Sequence, residues 1–495
     1  MKLHTLNIIR QGEVAASSGT QHIQSNTTVV PPSSSTLPTL PEYIGSMEPG
    51  VVAAAYGVET AIEGSVGAAV AIARATMPVK ATWRRIRTDQ KLPRSSHSLS
   101  VIKSKAYIFG GEEKPREPVE NHMHVFTLPS SEDDEVDYQI IPAVASAGAG
   151  DVPPPRVGHT ASKVDDRIYV FGGRGGKEMK PLEEQGRVWV YDTKLNSWSF
   201  LDPSEGSPFP DSRSYHASTS TEHPMSQVAV ASASTKGPMN ESPFGVAGSG
   251  LDDHGTIFIH GGCPASGRVA DVWAFDIASK TWSRYPDPPG PARGGPCLTF
   301  TRNRLYRFGG FDGKQELGGP LQYLSLTRCT FDDEGGKGEL GVAPLTGQWE
   351  TVEPPSDTNV PGNRSVAGLQ PVTSGQGRNY LLLSLGERDP SSAGHEAAGK
   401  FWDDVWSFQL PPDGMTAASL KDATKQLFGG KTAEGTWARC DIPEASKTGH
   451  TEHPGQRGWF ASDRQDTDFS SVIIWGGVTS DNSRAGDGWI LTVQP

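Results

Sequence analysis

Runs of β-branched and aromatic residues that end in a pair of glycines, each followed by a second such run and then a tryptophan, recur down most of this chain. The clearest copy lies between Arg156 and Trp198. Arg156 and His159 open a strand, the run from Ile168 to Phe171 ends in Gly172-Gly173, a second run ends at Tyr191-Asp192, and Trp198 follows. Short runs of this composition, separated by turn residues and repeated, specify four short strands per unit.

The other copies share these landmarks. Opening arginines stand at Arg94, Arg156, Arg213, Arg293, Arg364 and Arg457, with His97, His159 and His216 three residues after the first three. Glycine pairs fall at Gly110-Gly111, Gly172-Gly173, Gly261-Gly262, Gly309-Gly310 and Gly476-Gly477, and one unit has Leu385-Gly386 instead. Fourth-strand tryptophans are Trp198, Trp282, Trp349 and Trp437. A period of roughly 50 residues with this punctuation is that of kelch repeats. The last unit stops after its third strand (Gly488 to Val493), while an orphan fourth-strand signature, Thr82-Trp83-Arg84-Arg85-Ile86, precedes the first. Joining the two completes a sixth blade and leaves only short protected edges. The expectation is an all-β, six-bladed kelch β-propeller over 80–495, closed by an N-terminal strand.

Ahead of it, residues 1–47 are rich in Ser, Thr, Pro and Gln without periodicity and read as a disordered tail. Residues 48–79 turn Ala-rich, with Val58, Ile62, Val66 and Val70 at spacings of four, and read as a short helix that either packs on the propeller rim or docks on a membrane surface or partner. Glu59 and Glu63 argue against a transmembrane segment. The net charge of -12 works against nucleic-acid binding, which needs a basic surface. Cys263, Cys297, Cys329 and Cys440 show no Cys-x-x-Cys spacing and suit a reducing compartment. Met1 to Arg10 contains only a four-residue apolar run, Leu6 to Ile9, so no secretory signal is expected and a cytoplasmic location is inferred, with a mitochondrial presequence left open by Lys2 and Arg10.

Propeller connectivity sorts the loops into two faces. The long insertions, Thr219 to Leu251, Thr327 to Gly347 and Pro411 to Gly435, fall in first-to-second or third-to-fourth connections and so share one face. The other face collects the opening arginines, Glu112 and Arg174 after their glycine pairs, and the connection from Glu387 to Lys400. Function is expected there. The six arginines either build a positive mouth for a small organic anion or an acidic peptide, or serve as struts between neighbouring loops. The three histidines read as core hydrogen-bonding residues. In the connection, Glu387, Asp389 and His395 place two carboxylates and an imidazole within nine residues, a donor set suited to a non-haem Fe(II) with open positions.

From Thr82 to Val493 the chain resembles the specifier proteins of glucosinolate breakdown: nitrile-specifier, epithiospecifier and thiocyanate-forming proteins. The phrases that carry the likeness are Pro93-Arg94-Ser95-Ser96-His97, Phe109-Gly110-Gly111-Glu112, Phe171-Gly172-Gly173-Arg174, Arg293-Gly294-Gly295, Gly386-Glu387 with Asp389-Pro390 and His395, and Arg457-Gly458-Trp459. The resemblance implies Fe(II) held by a Glu, an Asp and a His spaced four residues apart, with Arg174 and Trp459 facing the substrate. Glu387 and His395 match at the eight-residue separation. At the middle position stands Ser391, and the acid is displaced to Asp389. The implied activity is a lyase acting on a sulfated, sulfur-containing small molecule, with Arg174 and Trp459 catalytic and Arg94, Glu112 and Arg457 helping to bind substrate. The same fold also hosts kelch modules whose role is to bind a protein partner.

Overall fold

The computed structural model describes residues 78–494 except 132–133, 135, 224–253, 331–339, 355–358, 376, 393–396, 412–432 and 444–452. The expected tail and helix lie outside the described residues, apart from Pro78 and Val79. Among the described residues no helix is long and apolar enough to cross a membrane.

Six four-stranded antiparallel sheets form the blades, with two-stranded ribbons on the connections. Blade one runs through Ser98–Ile102, Lys105–Phe109, Met123–Thr127 and Tyr138–Ile141; blade two through Thr160–Val164, Arg167–Phe171, Val188–Asp192 and Ser197–Leu201. Blades three to five begin at Ala217–Thr221, Cys297–Thr301 and Gly368–Thr373. In blade six, Ala461–Arg464, Ser471–Trp475 and Gly488–Val493 come from the C-terminal end and Ala81–Arg85 supplies the fourth strand. Its register runs from Ala81 opposite Val493 to Arg85 opposite Trp489, which is the closure expected from the orphan Trp83.

The core is divided among the seams between blades. Alternating residues of each strand face opposite sides of their sheet, so each blade feeds two apolar clusters. Ala106 and Ile108 pack with Ile473 and Trp475 at the seam of blades six and one. Tyr107 and Phe109 pack with Ile168, Val170 and Trp198 at the seam of blades one and two. The closing strand contributes Ala81 and Trp83 to the seam between blades five and six. One stretch expected to be a loop insertion, Thr327 to Gly347, is partly sheet: the outer strands of blade four extend over Leu321–Thr330 and Leu340–Val352, with an irregular register between Leu324 and Leu326.

The glycine pairs are explained by two close approaches. A Cβ on Gly172 would meet the carbonyl oxygen of Arg213 at 2.6 Å and the imidazole of His216 at 3.0 Å, and one on Gly173 would meet the Cβ of His159 at 2.9 Å. Both residues also hold positive φ, which glycine adopts without strain. His159 and His216 are core hydrogen-bonding residues, as expected: His159 Nε2 pairs with Ser98 Oγ at 2.9 Å and His216 Nε2 with Thr160 Oγ1 at 2.8 Å, while His97 is buried against Gly111.

Candidate functional site

The opening arginines hold one face of the propeller together. The backbone N–H of the second glycine in each blade donates to the carbonyl of the next blade's arginine: Gly111 to Arg156, Gly173 to Arg213, Gly262 to Arg293, Gly310 to Arg364, Gly386 to Arg457 and, closing the circle, Gly477 to Arg94, at 2.8–3.0 Å. The Nη1 groups of Arg156, Arg213, Arg293, Arg364 and Arg457 donate to carbonyls of their own blades, those of Gly172, Gly261, Gly309, Leu385 and Gly476. Carboxylates complete the pattern: Arg94 pairs with Glu120, Arg156 with Glu184, Arg213 with Asp271, Arg364 with Asp404 and Arg457 with Asp487. All six arginines are buried. Of the two expected roles, positive mouth or strut, the arginines take the second: Arg94 and Arg457, also anticipated as anion-binding, are interior struts whose charge is met by Glu120 and Asp487.

Two residues after each arginine, the chain forms a second circle. Ser96, Gly158, Tyr215, Gly295, Val366 and Trp459 all hold φ between 46 and 61. Each backbone N–H donates to the carbonyl of the preceding blade's member, from Gly158 N–H to Ser96 O at 2.9 Å round to Ser96 N–H on Trp459 O at 2.9 Å. Such φ values are uncommon for residues other than glycine, and for the β-branched Val366 they are an outlier that the surrounding bonds must hold. The circle projects the side chains of Tyr215 and Trp459 at the channel mouth, where their rings meet edge to face with centroids 5.2 Å apart. Arg174 stacks over Tyr215 at 5.3 Å, and its Nε donates to Ser214 Oγ at 2.8 Å.

Beside this aromatic pair lies a cavity of about 300 Å³, lined by Trp459, Glu387, Phe311, Phe401, Arg268 and Arg484 among others. Glu387 faces it from a short strand, and burial pushes its carboxyl up to about 7 although the Trp459 side chain hydrogen-bonds to it. Beneath it Glu316, buried and bonded by Ser365 Oγ at 3.1 Å, is pushed up to about 8 by burial, with the charges of Glu387 and Asp389 adding to the effect. Glu112 does not present a free carboxylate: Oε1 accepts from Arg484 Nη2 at 3.0 Å and Oε2 from the Arg116 N–H at 2.8 Å.

Arg268 was not anticipated, because it occupies no repeat position. Its guanidinium lies 4.8 Å over the Phe311 ring, and its buried Nε has no hydrogen-bond partner among the described residues. No carboxylate pairs with it there. The only foretoken in the sequence is its place in a second-to-third connection on this face.

The expected metal ligands do not come together among the described residues. Glu387 pairs with Phe401 and Asp389 with Lys400, with an irregularity between them that turns Asp389 outward. There its carboxylate is exposed and paired with Arg388 and Lys400 at 3.3 and 3.6 Å. His395 lies outside the described residues, which contain no cluster of three or more potential metal ligands.

Comparison with known proteins gives the same fold and a specific likeness. The family model described as the KLHDC2/KLHL20/DRC7 Kelch-repeats domain matches residues 75–228, and the Kelch motif matches 253–289. The chain is 26% identical over 406 residues to an N-(sulfonatooxy)prop-2-enimidothioate sulfolyase of Thlaspi arvense, spanning 81% of this chain and 93% of that protein. It is 24% identical to human Kelch domain-containing protein 3 over 48% of this chain and 53% of that protein. The solved structure of YjhT is similar with a TM-score of 0.48 and 14% identity, over 82% of this chain and 98% of that one.

Proposed function

We propose that this kelch-repeat propeller, specifier-like along most of its length, binds a small organic anion in the mouth cavity and acts on it as a lyase of the sulfolyase kind. The observation that carries the reading is Arg268, a guanidinium that makes no ion pair among the described residues, with Asp312 and Glu316 acting on it only at longer range, stacked on Phe311 in the same cavity as Trp459. Such a group recognises a sulfate or similar oxyanion and stabilises the charge that develops as it departs. Phe311, Phe401 and Trp459 offer apolar surface for the organic part, and Arg174 stands nearby as the second cation expected from the sequence. The likeness to a sulfolyase supplies the substrate class, an N-(sulfonatooxy)imidothioate.

Fe(II) would belong to this reading through Glu387 and His395. With Asp389 committed to Arg388 and Lys400, the expected set of three is not assembled among the described residues, and no step is routed through the metal. Chain purified without oxygen and supplied with Fe(II) is expected to release sulfate from an N-(sulfonatooxy)imidothioate faster than the Arg268→Ala form does. A wild-type rate equal to that of buffer, with and without Fe(II), rules out the lyase.

A second reading, a protein-interaction scaffold, is favoured by one observation. A rim cavity of about 420 Å³ between blades two and three brings the half-exposed Phe209 together with Glu183 and Asp211, a combination suited to a basic peptide. Phe209→Ala should then weaken partner capture while sulfate release is unchanged.

A further inference from the structure

Blade four departs from the charge pattern of the other five. In those, the opening arginine meets a carboxylate that lies just ahead of the third strand. In blades two, three and five the carboxylate is also bonded by a tryptophan on that strand: Trp189 to Glu184 at 2.8 Å, Trp273 to Asp271 at 2.8 Å and Trp406 to Asp404 at 2.7 Å. In blade four the corresponding residues are Pro320, Leu321 and Gln322. Arg293 is 7% exposed, its Nε donates to the Pro291 carbonyl at 3.1 Å and its Nη1 to that of Gly309 at 2.8 Å, and no carboxylate pairs with it among the described residues.

A second cation has been added at the same seam. Where the other blades place Ile108, Val170, Ile259, Leu383 and Ile474 in the second strand, blade four has Arg307, fully buried. Its partners are all neutral: Gln322 Oε1 at 3.1 Å from Nε, His260 Nε2 at 3.3 Å from Nη1, the Pro289 carbonyl, and the face of Trp349 at 5.8 Å. His260 is itself neutral, since burial and Arg307 hold it well below the ordinary imidazole value. Burial pushes Arg307 down to about 8 and Arg293 to about 10. A guanidinium keeps its proton in proteins, so the buried charge has to be met by a counter-charge rather than by deprotonation.

We propose that the seam between blades three and four holds a small inorganic anion, which reaches Arg293 Nη2 beside Gly290 and takes the place of the carboxylate that Pro320 displaces. Arg293 Nη2 has no partner among the described residues, and Gly290, exposed and without a side chain, leaves the approach to it open; a Cβ there would stand 3.1 Å from that nitrogen. The guanidinium fork suits chloride, phosphate and sulfate alike.

The test is the thermal midpoint of the full chain at constant ionic strength, with gluconate replaced stepwise by chloride, phosphate or sulfate. A ligand of the native state raises the midpoint with concentration. The wild type should show a saturable rise, and Pro320→Asp, which restores the carboxylate of the other blades, should lose it. Arg307→Leu, which removes the added charge, should lose it too and guards against a Pro320 variant that fails to fold. The most effective of the three identifies the anion. A wild-type midpoint that ignores anion identity means that the pair already has a counter-charge within the chain, and overturns the proposal. So does a rise retained in full by both variants, which is then a bulk salt effect.

Discussion

Removing the closing strand should cost far more than its length suggests. Ala81–Arg85 is five residues long, yet it pairs along its whole length with Gly488–Val493 and inserts Trp83 into the seam of blades five and six. Truncating a buried tryptophan to alanine costs about 3–5 kcal/mol, so Trp83→Ala alone should shift stability by that amount. Deleting through Arg85 also removes Ala81 and exposes the backbone of Gly488–Val493 as an open edge, a ready template for association. The total, at least about 5 kcal/mol, is comparable with the whole stability of an ordinary domain. Urea midpoints and size-exclusion profiles of three truncations, starting at residues 48, 78 and 86, provide the assay. The first two should match the full chain, the third should unfold early and associate, and a peptide spanning residues 78–91 should restore it. Equal midpoints for the truncations at 78 and 86 would refute the closure argument.

Two further outcomes follow from buried charge. Burial holds His97 and His216 at about 3 and His159 well below its usual value, while in the unfolded chain each titrates near 6.5. The unfolded state therefore binds more protons from pH 6.5 downward, so stability falls with pH across that window, by up to about 2 kcal/mol per imidazole between pH 7 and pH 5; urea midpoints that stay flat over this range would contradict the burial of these rings. Asp404→Asn leaves the fully buried Arg364 without its charge partner and should cost about 3–5 kcal/mol, whereas Asp389→Asn, exposed, should cost little in the same denaturation assay.

What the sequence disclosed follows from what repeats. Blade number, closure by Trp83 and the face carrying Glu112, Arg174 and Trp459 were all legible because strand patterns, glycine pairs and connection order recur. The role of the arginines was not legible from their positions alone. It depends on carboxylates further along the same blade, Glu120, Glu184, Asp271, Asp404 and Asp487, which convert a possible positive mouth into a set of neutral struts. The exposure of Asp389 beside Arg388 and Lys400 was not legible either, because it comes with an irregularity in a two-stranded ribbon that spacing cannot show. Arg268 and Glu316 escaped notice because loops between second and third strands carry no periodic marker. Blade four shows the converse: once the Asp-x-Trp pattern is known, Pro320-Leu321-Gln322 reads directly as a missing counter-charge.

The central claim is that the mouth cavity recognises an organic anion through Arg268. Isothermal titration of the full chain with benzyl sulfate, against the uncharged benzyl alcohol, tests it most directly. The account predicts one site per chain for the sulfate and none for the alcohol, at least about tenfold weaker in Arg268→Ala, in keeping with the 1.5–3 kcal/mol typical of a hydrogen bond to a charged group, and unchanged in Phe209→Ala in the separate cavity between blades two and three. Binding that is equally strong in Arg268→Ala, or that follows Phe209 instead, would contradict it.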